Sequence, residues 1–226
     1  MKNGEKRLKS RIFHTERYVE IAARVRDLLN EREDFMSPNT ARSTRATGDA
    51  IEEILSKSFD DILGNDCDEY SASFARRAMA DLAFSDPDGL YYVVDVKTHR
   101  EDTQFNMPNL TSVKRLARFY EEDTNYFALL LVKYALHGIR AAVSEGTFVP
   151  IEFLDWNCLT VGALGWGQIQ IANSNNISIR PQNSRRQWML ELCDVMLEFY
   201  PREIGKIQTR IGYFERVKRH WESREG

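Results

Sequence analysis

The residues best suited to chemistry lie near the middle of the chain, in the stretch AMADLAFSDPDGLYYVVDVKTHRED. Asp95 and Lys97 are two positions apart, a spacing that turns both side chains to one face of a strand. Asp81 lies on an earlier run, and the Asp-Pro-Asp-Gly of residues 86–89 is a strong signal for a turn that folds the two runs together. A hairpin of this kind can bring Asp81 to Asp95. Mg²⁺ takes hard oxygen ligands, few of them from protein, with water and phosphate completing its shell. The carboxylates of Asp81 and Asp95 and the peptide carbonyl of Val96 are enough for one such site. A cation held there polarises a phosphate and lowers the pKa of a bound water. Lys97 can stabilise charge that develops at phosphorus or orient the attacking water. Glu52, on a preceding helix, is an auxiliary acid that can reach a metal through water or serve a second ion. Together these residues form an apparatus for hydrolysing a phosphodiester.

A D-x-K triplet also arises on strands by chance, as a hydrated surface pair, and a helix Glu is often merely solvated. The assignment therefore leans on the combination of Asp81 across the turn, the apolar flanks and Glu52.

The elements that must position these residues follow from periodicity. A first helix is expected over 15–31, with Thr15 as its cap and Ile21, Val25, Leu28 and Leu29 as its stripe; residues 32–46 read as a polar loop. A second helix is expected from Thr47 to Leu63, carrying Glu52 at the edge of a stripe that includes Ile51, Leu55 and Phe59. Strands are expected over 79–84 and 90–96, then a helix over 111–122 and a buried strand over 126–134. Residues 139–144 and 149–153 are expected to continue the sheet about a glycine turn, and 168–171 to form a short strand. Ser184 begins another helix, which Pro201 is expected to end before a last helix over 204–221. No internal repeat or heptad array is expected. The order implies a mixed α/β (α+β) fold, with a central sheet flanked by helices.

The ordered set of motifs resembles the PD-(D/E)XK nuclease superfamily, and within it the EcoRV and HincII branch of Type II restriction endonucleases. Gly48 and Glu52 match the GxxxE of the first core helix. Ala80-Asp81 stands where the superfamily often has Pro-Asp, and Asp95-Val96-Lys97-Thr98 matches the catalytic strand. Asn106-Met107-Pro108-Asn109 leads into Leu110-Thr111-Ser112, as in that branch, and Gln168-Ile169-Gln170 and the run from Arg185 to Trp188 follow downstream. The similarity covers roughly residues 45–200. It implies a restriction-endonuclease-like fold with catalytic Asp81, Asp95, Lys97 and Glu52. It also implies a Mg²⁺-dependent homodimer that cuts a palindromic duplex at its centre, leaving blunt ends with 5′-phosphates. A protecting methyltransferase in the host is implied as well, without a stable complex.

Reading a site requires phosphate contacts that position and base-edge contacts that specify. Amide side chains suit adenine edges, and arginine and lysine suit guanine. Gln104, Asn106 and Asn109 follow the catalytic strand directly, and the resemblance places that loop against the central base pairs. A second polar cluster supplies Asn173, Asn175, Asn176 and Arg180. Ser184, Arg185 and Arg186 at a helix start suit phosphate, and Arg42 and Arg45 are further phosphate candidates. Trp166, between glycines, is expected to pack in the core.

Composition is compatible with this reading. The chain has 226 residues, 42% hydrophobic and 29% charged, with net charge −3. A binding groove needs local positive potential and not a global excess. The three cysteines are odd in number and lack zinc spacing. No membrane span or signal peptide is expected, and the expected location is the cytoplasm. The expected organisation is one nuclease domain over 1–226, with 1–45 a dimerisation and DNA-approach region and 160–190 a DNA-recognition region. A structure-specific repair or junction nuclease, and a non-catalytic DNA-binding protein, are the alternative functions.

Overall fold

Apolar residues on either side of the Asp-Pro-Asp-Gly turn build the centre of the sheet. In the computed structural model, which describes residues 9–32, 36–72 and 80–224, β2 (Leu82–Ser85) pairs antiparallel with β3 (Tyr91–Arg100) across that turn. Asp86 Oδ1 accepts hydrogen bonds from the backbone N–H groups of Asp88 and Leu90, and Gly89 supplies the positive φ of 79°. On its other edge β3 pairs parallel with β5 (Asn125–His137), which pairs antiparallel with β6 (Arg140–Pro150). With β1 (Glu69–Ser71) the sheet is five-stranded and mixed, in the order β1-β2-β3-β5-β6. A second sheet has the order β4-β8-β7, from β4 (Asn109–Ser112), β7 (Leu159–Gly162) and β8 (Gln168–Ile171). The fold is thus mixed α+β, as the element order implies.

Local chemistry sets the helix starts. Ser37 caps α2 (Pro38–Ala41) and Ser43 caps α3 (Thr44–Leu63), so α3 begins three residues before the expected Thr47. The cap position of α1 (Arg17–Glu31) is Glu16, without a side-chain bond, while Thr15, one residue further out, has its Oγ1 accepting from the N–H of Arg17 at the helix start. The helix expected over 111–122 shortens to α4 (Val113–Phe119), because residues 109–112 pair with β8 and Ser112 becomes the cap.

Other boundaries move because pairing extends or trims them. β2 starts at Leu82, leaving Asp81 just ahead of the strand, and residue 79 lies outside the described residues. β3 runs on to Arg100, since β5 accompanies it to the Arg100–Tyr134 pair. The two segments expected over 139–144 and 149–153 are one strand through Gly146, and residues 151–153 form a 3₁₀ turn.

The stripe of α1 is used inside its own chain. Ile21, Val25 and Leu29 are fully buried. The helix lies so close to β6 that a Cβ on Gly146 would stand 2.7 Å from the carbonyl oxygen of Ala22. The dimerisation expected of residues 1–45 therefore does not run through Ile21, Val25 or Leu29.

The largest departure is α5 (Arg185–Glu222), a single helix of 38 residues that passes through Pro201. Proline costs a helix one backbone bond and a steric adjustment. Pro201 is exposed, so water can satisfy the carbonyl it leaves unbonded. Only the first part of α5 is packed: Trp188, Leu192, Met196 and Phe199 are buried, and no residue after Phe199 is. No helix among the described residues is long and apolar enough to cross a membrane.

Candidate active site

The antiparallel ladder between β2 and β3 ends where the acids begin. One residue ahead of β2, the backbone N–H of Asp81 donates to the carbonyl of Val94 at 3.0 Å. The side chain then turns along β3, and Oδ2 accepts from the N–H of Val96 at 2.7 Å. This fixes the Asp81 carboxylate beside the strand that carries Asp95. In an extended strand the N–H and C=O of a residue point to the same edge, so the Val96 carbonyl also faces this open end of the ladder. Lys97 Nζ lies 3.3 Å from that carbonyl and 2.6 Å from Asp95 Oδ1.

Asp95 is 4% exposed, and its Oδ2 is buried with no hydrogen-bond partner. Burial pushes its carboxyl pKa up to about 7; Lys97 opposes the rise, and Asp81 and Glu52 reinforce it. Buried anionic oxygen left without a partner is costly. A divalent cation beside Oδ2 would relieve that cost. The donors present are two carboxylates and a peptide carbonyl, a set of hard oxygens that fits Mg²⁺. Among the described residues no group of three or more His, Cys, Asp and Glu side chains surrounds a metal position. A cation here would therefore have only these few donors from the described residues.

Glu52 reaches the same neighbourhood from α3. Gly48, one turn earlier, lies against β3: a Cβ there would stand 2.9 Å from Thr98 Oγ1. The glycine lets α3 approach the strand, and the half-buried Glu52 follows at the same end, near enough to act on Asp95 electrostatically. A cavity of about 170 Å³ opens beside Lys97, lined also by His99, Lys133, Glu145, Ser174 and Asn175.

Two polar segments far apart in sequence merge next to this site. The N–H of Ser174 donates to the carbonyl of Asn106, and that of Ile171 to Pro108. Asn175 Nδ2 donates to the carbonyls of Thr103 and Gln104, and its Oδ1 lies 2.9 Å from His99 Nε2. Gln170 Nε2 donates to Asn109 Oδ1 at 2.6 Å. Gln104, Asn106, Asn109, Asn173, Asn175 and Asn176 therefore belong to one surface that starts where β3 leaves the site. Within it Asn175 is the fastener, and Asn173 Oδ1 accepts from the Asn175 N–H. His99 and Gln170 help join the two segments, a role whose trace in the sequence is the Gln-Ile-Gln alternation of β8.

Other expected DNA contacts are distributed differently. Arg45 lies in the first turn of α3, just ahead of Gly48, and Arg42 follows α2; both are exposed. Arg186 is exposed, Arg180 pairs with Asp155, and the Ser184 hydroxyl caps α5. The phosphate contact expected of Arg185 is corrected. Its side chain is buried, pairs with Glu152 at 2.8 Å, and lies 4.2 Å from the ring centroids of both Tyr120 and Tyr126. Trp166 is also corrected. It is 67% exposed at a positive φ of 65°, because the 3₁₀ turn of residues 164–166 swings it outward before Gly167 packs on Val113.

No protein-family model and no curated protein matches this chain.

Proposed function

We propose that this chain is a Mg²⁺-dependent endonuclease of restriction-endonuclease-like fold that hydrolyses double-stranded DNA at a specific palindromic site. The observation that carries the reading is the buried, unpartnered Asp95 Oδ2, on a carboxylate whose Oδ1 accepts from Lys97 and which feels the charge of the anchored Asp81. Asp81, Asp95 and the Val96 carbonyl would hold the ion. When bound, Mg²⁺ supplies Lewis-acid polarisation of the phosphate and a more acidic water.

The chain's own residues do the rest. Lys97 orients the attacking water and meets charge as it develops on the phosphoryl oxygens. The attacking water gives up a proton to solvent as its oxygen bonds to phosphorus in line with the leaving 3′ oxygen, which a second water protonates. The P–O3′ bond breaks, the 3′ oxygen takes a proton, and a 5′-phosphate and 3′-hydroxyl remain. Glu52 assists from α3 through water. The joined surface of residues 104–109 and 173–176 supplies amides for base edges, and Arg42, Arg45 and Arg186 supply cations for the backbone. A homodimer provides one site for each strand and matches a two-fold target.

Incubation of mixed-sequence plasmid with protein and Mg²⁺ tests the proposal. Discrete fragments with blunt ends are expected. A smear, or preference for branched DNA, supports a structure-specific nuclease, and no cutting at any divalent concentration supports a DNA-binding protein without catalysis. Asp81→Ala and Asp95→Asn should abolish cutting while Ca²⁺-supported binding to cognate duplex persists.

A further inference from the structure

The two helices expected on either side of Pro201 are one, and this continuity puts the apolar residues of α5 into register. One row repeats every seven residues as Leu190, Leu197, Ile204, Ile211 and Lys218. A second, offset by three, is Cys193, Tyr200, Ile207, Phe214 and Trp221. This is a heptad pattern with a and d apolar over more than four repeats, interrupted by one charge. The absence of any heptad array expected from sequence is corrected here.

The rows are not the face that α5 uses in its own chain. Trp188, Leu192 and Phe199 pack on the body from a direction about a third of a turn away. Side chains in both rows stand open, with Leu190, Leu197, Tyr200, Ile204, Ile211 and Phe214 between 40% and 73% exposed. After Phe199 the helix extends roughly 35 Å, at 1.5 Å per residue, with no residue buried, although Arg202, Glu203 and Lys206 still border a pocket with Trp156 and Leu159. That segment includes Pro201, Gly205 and Gly212, which together cost an exposed helix about 5 kcal/mol relative to alanine. In proteins most helical stability comes from packing an amphipathic face and not from propensity. The helix needs a partner along its open face.

We propose that the occupant is a second copy of this chain, joined through α5 in a parallel, in-register, two-stranded coiled coil. The rows are self-complementary; the d row has Ile207 and aromatic side chains in place of Leu, so the strand number is set by the single Lys218 at a and not by Ile204 and Ile211. In this register Arg210 at g meets Glu215 at e of the other copy, twice by symmetry, and no like-charged g–e pair arises. The antiparallel register of full overlap brings Glu203 to Arg210 but opposes Asp194 and Glu215, so its charges cancel where those of the parallel register do not. A single Lys at a, here Lys218, fixes register and strand number at some loss of stability. The seam spans about 48 Å between Leu190 and Trp221, a length that covers an area on the order of the 1,600 Å² of stable interfaces. The inference rests on the homodimer of the proposed function and not on its metal site: a dimer that forms without α5 would overturn the seam alone, and a monomer would overturn the homodimer but leave the cleavage chemistry of Asp81, Asp95 and Lys97 standing.

Sedimentation of the full chain at micromolar concentration should give a dimer. Ile204→Asp with Ile211→Asp should give a monomer with an unchanged near-ultraviolet spectrum, since both side chains are exposed in the single chain. Lys218→Ile should tighten the dimer at least tenfold, a gain that misfolding cannot produce. Of the three cysteines only Cys193 is exposed, and in the parallel seam it faces its own counterpart at a d layer, within disulfide reach. Oxidation with copper phenanthroline should yield a covalent dimer that Cys193→Ser removes. A monomeric wild type, a doubly substituted variant that still dimerises, a weaker Lys218→Ile dimer, or a dimer that does not cross-link through Cys193 would each overturn the proposal.

Discussion

Asp95 concentrates the electrostatics of the site. Its carboxyl titrates near 7 in the folded chain against an ordinary 3.8, because burial disfavours the anion more than Lys97 favours it. A raised folded pKa contributes stability that is full below the ordinary value and is lost as pH rises through the folded one. The metal-free protein should therefore lose stability relative to Asp95→Asn between about pH 4 and 7. Thermal melts of both proteins across this range check it, and parallel curves would refute it. Mg²⁺ should restore wild-type stability above pH 7 and leave Asp95→Asn unmoved. Lys97 acts on a different quantity. Lys97→Ala should slow single-turnover cleavage by at least about a hundredfold, or roughly 2.7 kcal/mol in the barrier, with cognate affinity changed far less. A near-normal single-turnover rate would remove Lys97 from the chemistry.

At the level of elements, two glycines decide how closely helices approach the sheet. Gly48 lets α3 lie against Thr98, and the obstructing atom there is a small side chain that can rotate. Gly146 lets α1 lie against β6, and the obstructing atom is the backbone carbonyl of Ala22, which cannot move without moving the helix. Gly146→Val should therefore destabilise the fold by about 1–3 kcal/mol, in the range of overpacked cores, as read from urea unfolding. Gly48→Ala should cost less stability and instead lower cleavage, because the displaced α3 carries Glu52. A restored rate in Gly48→Ala combined with Thr98→Ala would identify that contact as the cause.

For the whole molecule, the buried Arg185–Glu152 pair fastens α5 to the region around β6 and β5. Glu152 Oε1 accepts from Arg185, and its Oε2 accepts from the Tyr120 hydroxyl. Removing one member leaves a buried charge uncompensated, a loss of about 3–5 kcal/mol. Glu152→Ala should approach that figure in denaturant unfolding, whereas Arg186→Ala, on the exposed side of the same turn, should change stability by under about 0.5 kcal/mol. Equal effects would mean that the pair does not anchor the helix. In the proposed homodimer this anchor would transmit the geometry of the seam to both bodies, so the same variant should also impair concerted cutting of both strands.

The amino-acid sequence by itself determined what is local. The Asp-Pro-Asp-Gly turn, the Asp95–Lys97 spacing, the stripe of α3 and the cap at Ser184 each depend on neighbours a few residues away, and the structure has them where the pattern puts them. The mixed sheet also followed, from the order of elements. What depends on distant partners was not legible. β1, β4 and β7 are three or four residues long and exist because another strand pairs with them. Arg185 looks like a surface cation until Glu152, Tyr120 and Tyr126 close around it. Pro201 looks like a helix end, since a proline's local cost is evident and the packing that outweighs it is not. The heptad rows of α5 were in the sequence throughout, but a period has meaning only along one continuous helix, and that continuity is a property of the tertiary structure. The carboxylates of Asp81 and Asp95 show the same division: their types are written in the chain, while the burial that leaves Asp95 Oδ2 without a partner comes from strands brought together across its full length.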